Sequence, residues 1–303
     1  MNPWTPLAAA TVGWASSAVL TRAAIVRGVD TWTLVPIRMS VALVTLVAVI
    51  AFSRRFWTTD PAAWKRGLLL GTVAMAFPMV LMTLSLEDLP VSLGGLLIAL
   101  IPIATIGAAH FLVDGERFQV RALPGLLVAL LGSALLVGIG GESMEGVDNL
   151  WRGVFFVTAG VLLAGVGGAL TRRFALEVPS DDLVLPQFTV NTVVVVFLIP
   201  MVFPVQLGTV DGVSWILLIV IGSLGTTVAF ASFLVGAGMN PASRLALTGY
   251  SVPVIAVALA VMFLGEELTP AVIAGAALIV TGVILAERST KNHVPEPGVV
   301  TAG

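Results

Sequence analysis

Ten stretches of about 17–23 mostly apolar residues constrain this chain more than any other feature, because a helix crossing about 30 Å of hydrocarbon needs roughly that length. They run Leu7–Val26, Trp32–Phe52, Arg66–Leu86, Val91–Leu112, Ala122–Gly140, Gly153–Leu170, Leu183–Pro204, Ser214–Gly236, Ser243–Leu264 and Pro270–Ala286. A transmembrane β-strand would need alternating segments of about ten residues, and these runs are continuous and twice as long. Composition agrees: 58% of residues are hydrophobic and 11% charged, against about 25% charged in a soluble domain. The mean hydropathy of +1.05 leaves too little polar surface to coat a water-soluble globule of this size. The sequence therefore predicts an all-α integral membrane protein with ten transmembrane helices. Six of the seven Trp residues (Trp4, Trp32, Trp57, Trp64, Trp151 and Trp215) fall at run ends, as in an interfacial belt. The first run has no basic leader and no cleavage site before a polar sequence, and is read as a retained helix.

Charge sets the expected orientation. With both termini in the cytoplasm, eleven Lys and Arg residues fall in cytoplasmic segments and three (Arg22, Arg27, Arg152) in outer ones. That bias is the positive-inside pattern of a bacterial-type inner membrane, and it requires an even number of crossings. The net charge of −2 and the lack of a basic cluster argue against nucleic-acid binding. With no Cys there is no disulfide, thiolate metal site or thiol nucleophile.

The chain partly matches itself at a shift of 150 or 151 residues. Thr21-Arg22 falls on Thr171-Arg172, Pro36 on Pro186, Pro90 on Pro241, Ser92 on Ser243 and Pro102 on Pro253. Gly115-Glu116 falls on Gly265-Glu266, and Gly125 and Gly132 fall on Gly275 and Gly282. Duplication of a five-helix unit explains this. Because five is odd, the second copy enters from the opposite side, giving two inverted five-helix repeats, a signature of secondary transporters. The expected layout is a first repeat at 1–140, an outer linker at 141–152, a second repeat at 153–287 and a disordered cytoplasmic tail at 288–303.

The segments Asn240-Pro241-Ala242-Ser243, Tyr250-Ser251-Val252-Pro253 and Phe263-Leu264-Gly265-Glu266-Glu267-Leu268-Thr269-Pro270 resemble the EamA family of the drug/metabolite transporter superfamily. Leu89-Pro90-Val91-Ser92, Pro102 and Gly115-Glu116-Arg117-Phe118 are their first-half counterparts. The resemblance implies a central cavity between the halves and export of a small metabolite, most often an amino acid or related compound, by alternating access. It leaves open an exchanger or importer of another solute: an organic cation, a drug or a phosphorylated metabolite. Related small multidrug exporters carry an acidic residue in their first helix, and this chain has none there.

Polar groups inside a bilayer are costly, so each needs an account. Arg38 is the only basic residue well inside a span. It either snorkels or neutralises a partner carboxylate, or it binds a carboxylate or phosphate on a substrate. Trp14, where the second repeat has Ala164, either lines the cavity or fills core. His110 offers proton coupling or sits at headgroup level. Tyr250 lines the cavity or is buried, with a hydroxyl that must find a partner. Ser92 and Ser243 either line the cavity or cap helices. Gln187 and Asn191, one turn apart, are read as bonding another helix. Pro36, Pro102, Pro186 and Pro253, with Pro78, are read as breaks inside spans that act as hinges. No catalytic constellation, metal site or cofactor motif is visible, so the expected partners are a small-molecule substrate and the lipid bilayer, and no enzyme activity is expected. Oligomeric state and coupling ion are left open.

Overall fold

The structure is a computed structural model describing residues 2–53, 56–85, 88, 97, 98, 100–116, 120–138, 149–264 and 270–291. The described residues are mostly helical, with no strand among them. In chain order the helices are α1 (Trp4–Val26), α2 (Thr31–Ser53), α3 (Pro61–Leu69 continuing through Leu70–Ala76 and Phe77–Ser85) and α4 (Ile101–Leu112). Next come α5 (Leu123–Gly138), α6 (Leu150–Glu177) and α7 (Ser180–Val202). The last three are α8 (Gly212–Val220, Ile221–Val228 and Ala229–Met239 without a break), α9 (Ala242–Leu264) and α10 (Pro270–Lys291). Among the described residues, five helices are long and apolar enough to cross a membrane: Thr31–Ser53, Pro61–Met82, Trp151–Glu177, Ser180–Val202 and Gly212–Met239. Shorter apolar helices cover Ile101–Leu112, Val120–Gly132 and Ile273–Ala286.

Several ends differ from the hydropathy reading. Helix α6 starts at Leu150, inside the expected linker, and continues past Leu170 to Glu177. Helix α10 continues to Lys291, so residues 288–291 are helical rather than tail. Hydropathy marks where hydrocarbon ends, and a helix can outrun that boundary because its backbone bonds do not depend on lipid. The rest of the tail, residues 141–148 of the linker, Ser92, and the Gly265-Glu266 doublet lie outside the described residues.

Eight helices close a ring in the order α1, α8, α2, α7, α3, α6, α4, α9 and back to α1. Helices α5 and α10 pair outside it, against α9. Close approach is possible because small residues face each other, and without a hydrophobic drive between helices in lipid such packing supplies the attraction. A Cβ on Gly125 would meet Gly282 O at 2.7 Å, and one on Gly132 would meet Gly275 O at 2.6 Å. Residue number rises along α5 as it falls along α10, so the two run antiparallel. Gly222 of α8 packs on Arg38 O and Val41 of α2, while Gly71 of α3 packs on Gln187 O and Val190 of α7.

Helices α3 and α8 share a departure from α geometry. Both pass through a π-helical segment, Leu70–Ala76 and Ile221–Val228. The first residues of the two segments are 151 positions apart. Pro78 follows the first segment, but Ala229 stands at the matching place in α8, so proline is not the common cause.

Candidate functional site

Helix α2 shows its lipid side through Val44 and Val47, which are 68% and 52% exposed. At 3.6 residues per turn, Val47 lies about 180° around the helix from Arg38, so Arg38 points into the ring. Its Nε donates to Thr226 Oγ1 of α8 at 2.7 Å. The Thr226 hydroxyl spends its own proton on Ile221 O, five residues back and 2.9 Å away, a spacing the π segment provides. Thr226 can therefore only accept from Arg38, which fixes the guanidinium plane. The two terminal nitrogens of Arg38 make no hydrogen bond or ion pair with the described residues. Of the two bland readings, a partner carboxylate is not found among the described residues, and the inward direction does not suit snorkelling to headgroups.

One turn further along α8 stands Phe230, with Phe233 a further turn on. Trp14 of α1 packs on both, with ring centroids 5.1 Å from each. Phe230 also meets the fully buried Phe188 of α7 edge-on at 6.2 Å. Helices α1 and α7 are not ring neighbours, so a side chain on α8 that touches both projects inward. Arg38, Thr226, Phe230, Phe233 and Trp14 thus form one strip, with a cationic fork at one end and aromatic rings at the other. Ala164 of α6, the repeat counterpart of Trp14, lies about 180° from the exposed Phe155 and also faces inward.

The other sequence candidates lie elsewhere. Tyr250 is fully buried with Leu126, Ala129, Leu247, Ile279 and Ala286, on the side of α9 packed against α5 and α10, and its hydroxyl has no hydrogen-bond partner among the described residues. His110 is exposed in the last turn of α4, edge-on to Phe111. Ser243 is half-buried in the first turn of α9. The free amide there, Ala242 N, is met by Glu116 Oε2 at 2.7 Å, so an acidic residue from the α4–α5 turn does the capping expected of Ser243. Asn191 Nδ2 donates to Met39 Sδ of α2 at 3.0 Å, while Gln187 Oε1 and Asn191 Oδ1 are buried with no hydrogen-bond partner among the described residues, so a bond to another helix is seen for Asn191 and not for Gln187.

Pro36 and Pro186 sit inside α2 and α7, which pack on each other. Pro253 lies inside α9. Pro102 is corrected: it occupies the first turn of α4, where its missing N–H breaks no helical bond, and so it starts a helix instead of kinking one. Phe230, Phe233 and Thr226 do not stand out from the sequence. They lie in an apolar run, and only the repeated Gly/Thr content of the two π segments hints at them.

The sequence matches the model of the EamA-like transporter family over residues 6–138 and 151–288. The chain belongs to the EamA-like transporter family. It is thereby a multi-pass membrane protein of a transporter family, and membership implies a small-molecule substrate. This EamA-like chain is 26% identical over 236 residues to a probable terminal-alkyne amino-acid exporter of Streptantibioticus cattleyicolor, covering 76% of each. A solved crystal structure of a protein with 21% sequence identity superposes with a TM-score of 0.75, over 95% of this chain and 99% of that one, so the two share a fold.

Proposed function

We propose that this protein is a secondary transporter of the inner membrane that exports a small amino acid or related carboxylate by alternating access. In this reading ten crossings form two inverted halves, with domain limits near 1–140 and 153–287 and both termini in the cytoplasm. The observation that carries the substrate class is the uncommitted fork of Arg38 beside the Trp14–Phe230–Phe233 rings. A planar guanidinium fits a carboxylate bidentately, and a half-buried cation inside a span, its terminal nitrogens without a partner among the described residues, is costly unless a ligand answers it. The rings would take an apolar side chain, and the amino-acid export named for the Streptantibioticus relative points the same way. Three features support inverted symmetry: the antiparallel Gly125–Gly282 and Gly132–Gly275 pairs, the matched π segments, and the crossing of each half's first helix. Helix α1 packs on α8 and α9, and α6 packs on α3 and α4.

The test is transport by purified protein in proteoliposomes, across a panel of amino acids and their decarboxylated amines, with and without a pH gradient. Neutral amino acids with apolar side chains are expected to move, and the matching amines are not. Amine transport without amino-acid transport would replace this reading with the organic-cation alternative. Trp14→Ala is expected to shift preference towards bulkier side chains, read as the ratio of rates for a large and a small substrate. A reporter fused at Gly303 is expected to read out in the cytoplasm, and a periplasmic readout would refute the topology.

A further inference from the structure

The end of the bundle that holds Pro3 and the α8–α9 turn is built differently from the opposite end. There the last segment of α8, Ala229–Met239, lies against α6 and α7, across the interior of the ring. Among the described residues the matching segment of α3, Phe77–Ser85, makes no comparable approach to α1 or α2. Among the described residues, one half's third helix thus closes over the ring at this end, and its counterpart makes no matching crossing at the other.

The side chains at the crossing are specific. Arg172, near the end of α6, donates from Nη1 to Ala237 O of α8 at 2.7 Å. From Nε it donates to Glu116 Oε1 at 2.8 Å. The second carboxylate oxygen of Glu116 takes Ala242 N at the start of α9. Gly115, at φ +80°, supplies the left-handed turn that brings Glu116 into place. Both side chains are mostly shielded, at 14% and 19% exposure. Among the described residues the other ion pairs between helices, Arg27–Asp211, Arg152–Asp88 and Arg66–Glu177, each join elements next to one another in the wall. Arg172 to Ala237 is different, because α6 and α8 face each other across the ring.

We infer that Arg172, held by Glu116, is a latch that keeps this end of the ring shut, and that it must release for the interior to open on that side. The inference rests on the alternating-access reading proposed for the protein. Ala237 O is a carbonyl in the last turn of α8, where it lacks a helical donor, so a cation is well placed there. Glu116 fixes the guanidinium and at the same time ties down the start of α9, so α4, α6, α8 and α9 are released together.

The test uses accessibility, which does not depend on knowing the solute. The chain has no Cys, so Ala164→Cys places a single thiol on the inward face of α6. Its rate of modification by a membrane-impermeant maleimide is measured in right-side-out and inside-out vesicles. Glu116→Gln and Arg172→Gln are each expected to raise the rate about 10-fold from the side of the N-terminus and to lower it from the other side, as loss of a charge-assisted bond would. Arg172→Lys, which keeps the charge and loses the fork, is expected to fall between, and serves as the milder probe if a glutamine variant inserts poorly. Unchanged rates in the variants that insert, or equal rises from both sides, would overturn the latch. Failure of transport with the accessibility shift intact would instead count against the substrate reading and leave the latch standing.

Discussion

Arg38→Ala is expected to cut transport about 10- to 100-fold, the cost of losing charge-assisted hydrogen bonds worth roughly 1.5–3 kcal/mol, while the protein still inserts. The same change is expected to raise thermal stability in detergent. A half-buried guanidinium whose terminal nitrogens have no partner among the described residues is a burden on the fold. Insertion scales put an arginine at a helix centre about 2.5–3.5 kcal/mol uphill. Activity and stability moving in opposite directions is what distinguishes a binding residue from a structural one. Arg38→Lys should recover part of the rate, since the charge remains and the planar fork is lost. Transport and melting temperature measured on the same preparations decide the matter. Full transport by Arg38→Ala would remove it from the site.

Gly282→Val is expected to be the most damaging single substitution outside the ring. A Cβ at Gly282 would meet Ala129 N, Gly125 O and Ala129 Cα. These are backbone atoms, so no side-chain rotation can make room, and α5 and α10 must separate along their length. Overpacking of a close contact costs about 1–3 kcal/mol and sometimes more, and here the upper end or beyond is expected, seen as a large fall in melting temperature or loss of folded protein. Gly107→Ala is the control. Nothing lies within 4 Å of a Cβ there, so the better helix propensity of alanine should leave stability equal or up to about 1 kcal/mol higher.

Hydropathy located the helices because lipid demands apolar residues wherever it touches them. It could not find that α6 goes on to Glu177, since Thr171, Arg172 and Arg173 lie on a helix that has already left the apolar run. Arg38 stood out because a lone cation in an apolar run has no ordinary explanation. Phe230 and Phe233 did not, because a phenylalanine facing lipid and one facing the interior look the same in one dimension. Glu116 was visible as half of a repeated Gly-Glu doublet, but its work is done on α6 and α9, and no local pattern points to partners 56 and 126 residues away. The π segments were hidden for a related reason. Their glycines are set by neighbours lying close by, Gly71 by α7, Gly222 by α2 and Gly225 by Ser17 of α1, a three-dimensional condition.

The π segment of α8 has a geometric consequence for the whole helix. Bonds that reach back five residues instead of four take up extra chain, and each additional residue turns the remainder of the helix out of phase by about 100°. Ahead of the segment the lipid-exposed row includes Trp215, Ile216 and Ile219, and a straight α-helical count from that row does not carry through to the far side. One rod is thereby keyed to α1 and α2 in its middle and to α1, α6 and α7 beyond it. Deleting a single residue between Ile221 and Val228 would bring the helix back into step and rotate Thr226 away from Arg38, whereas the same deletion in a loop would only shorten it.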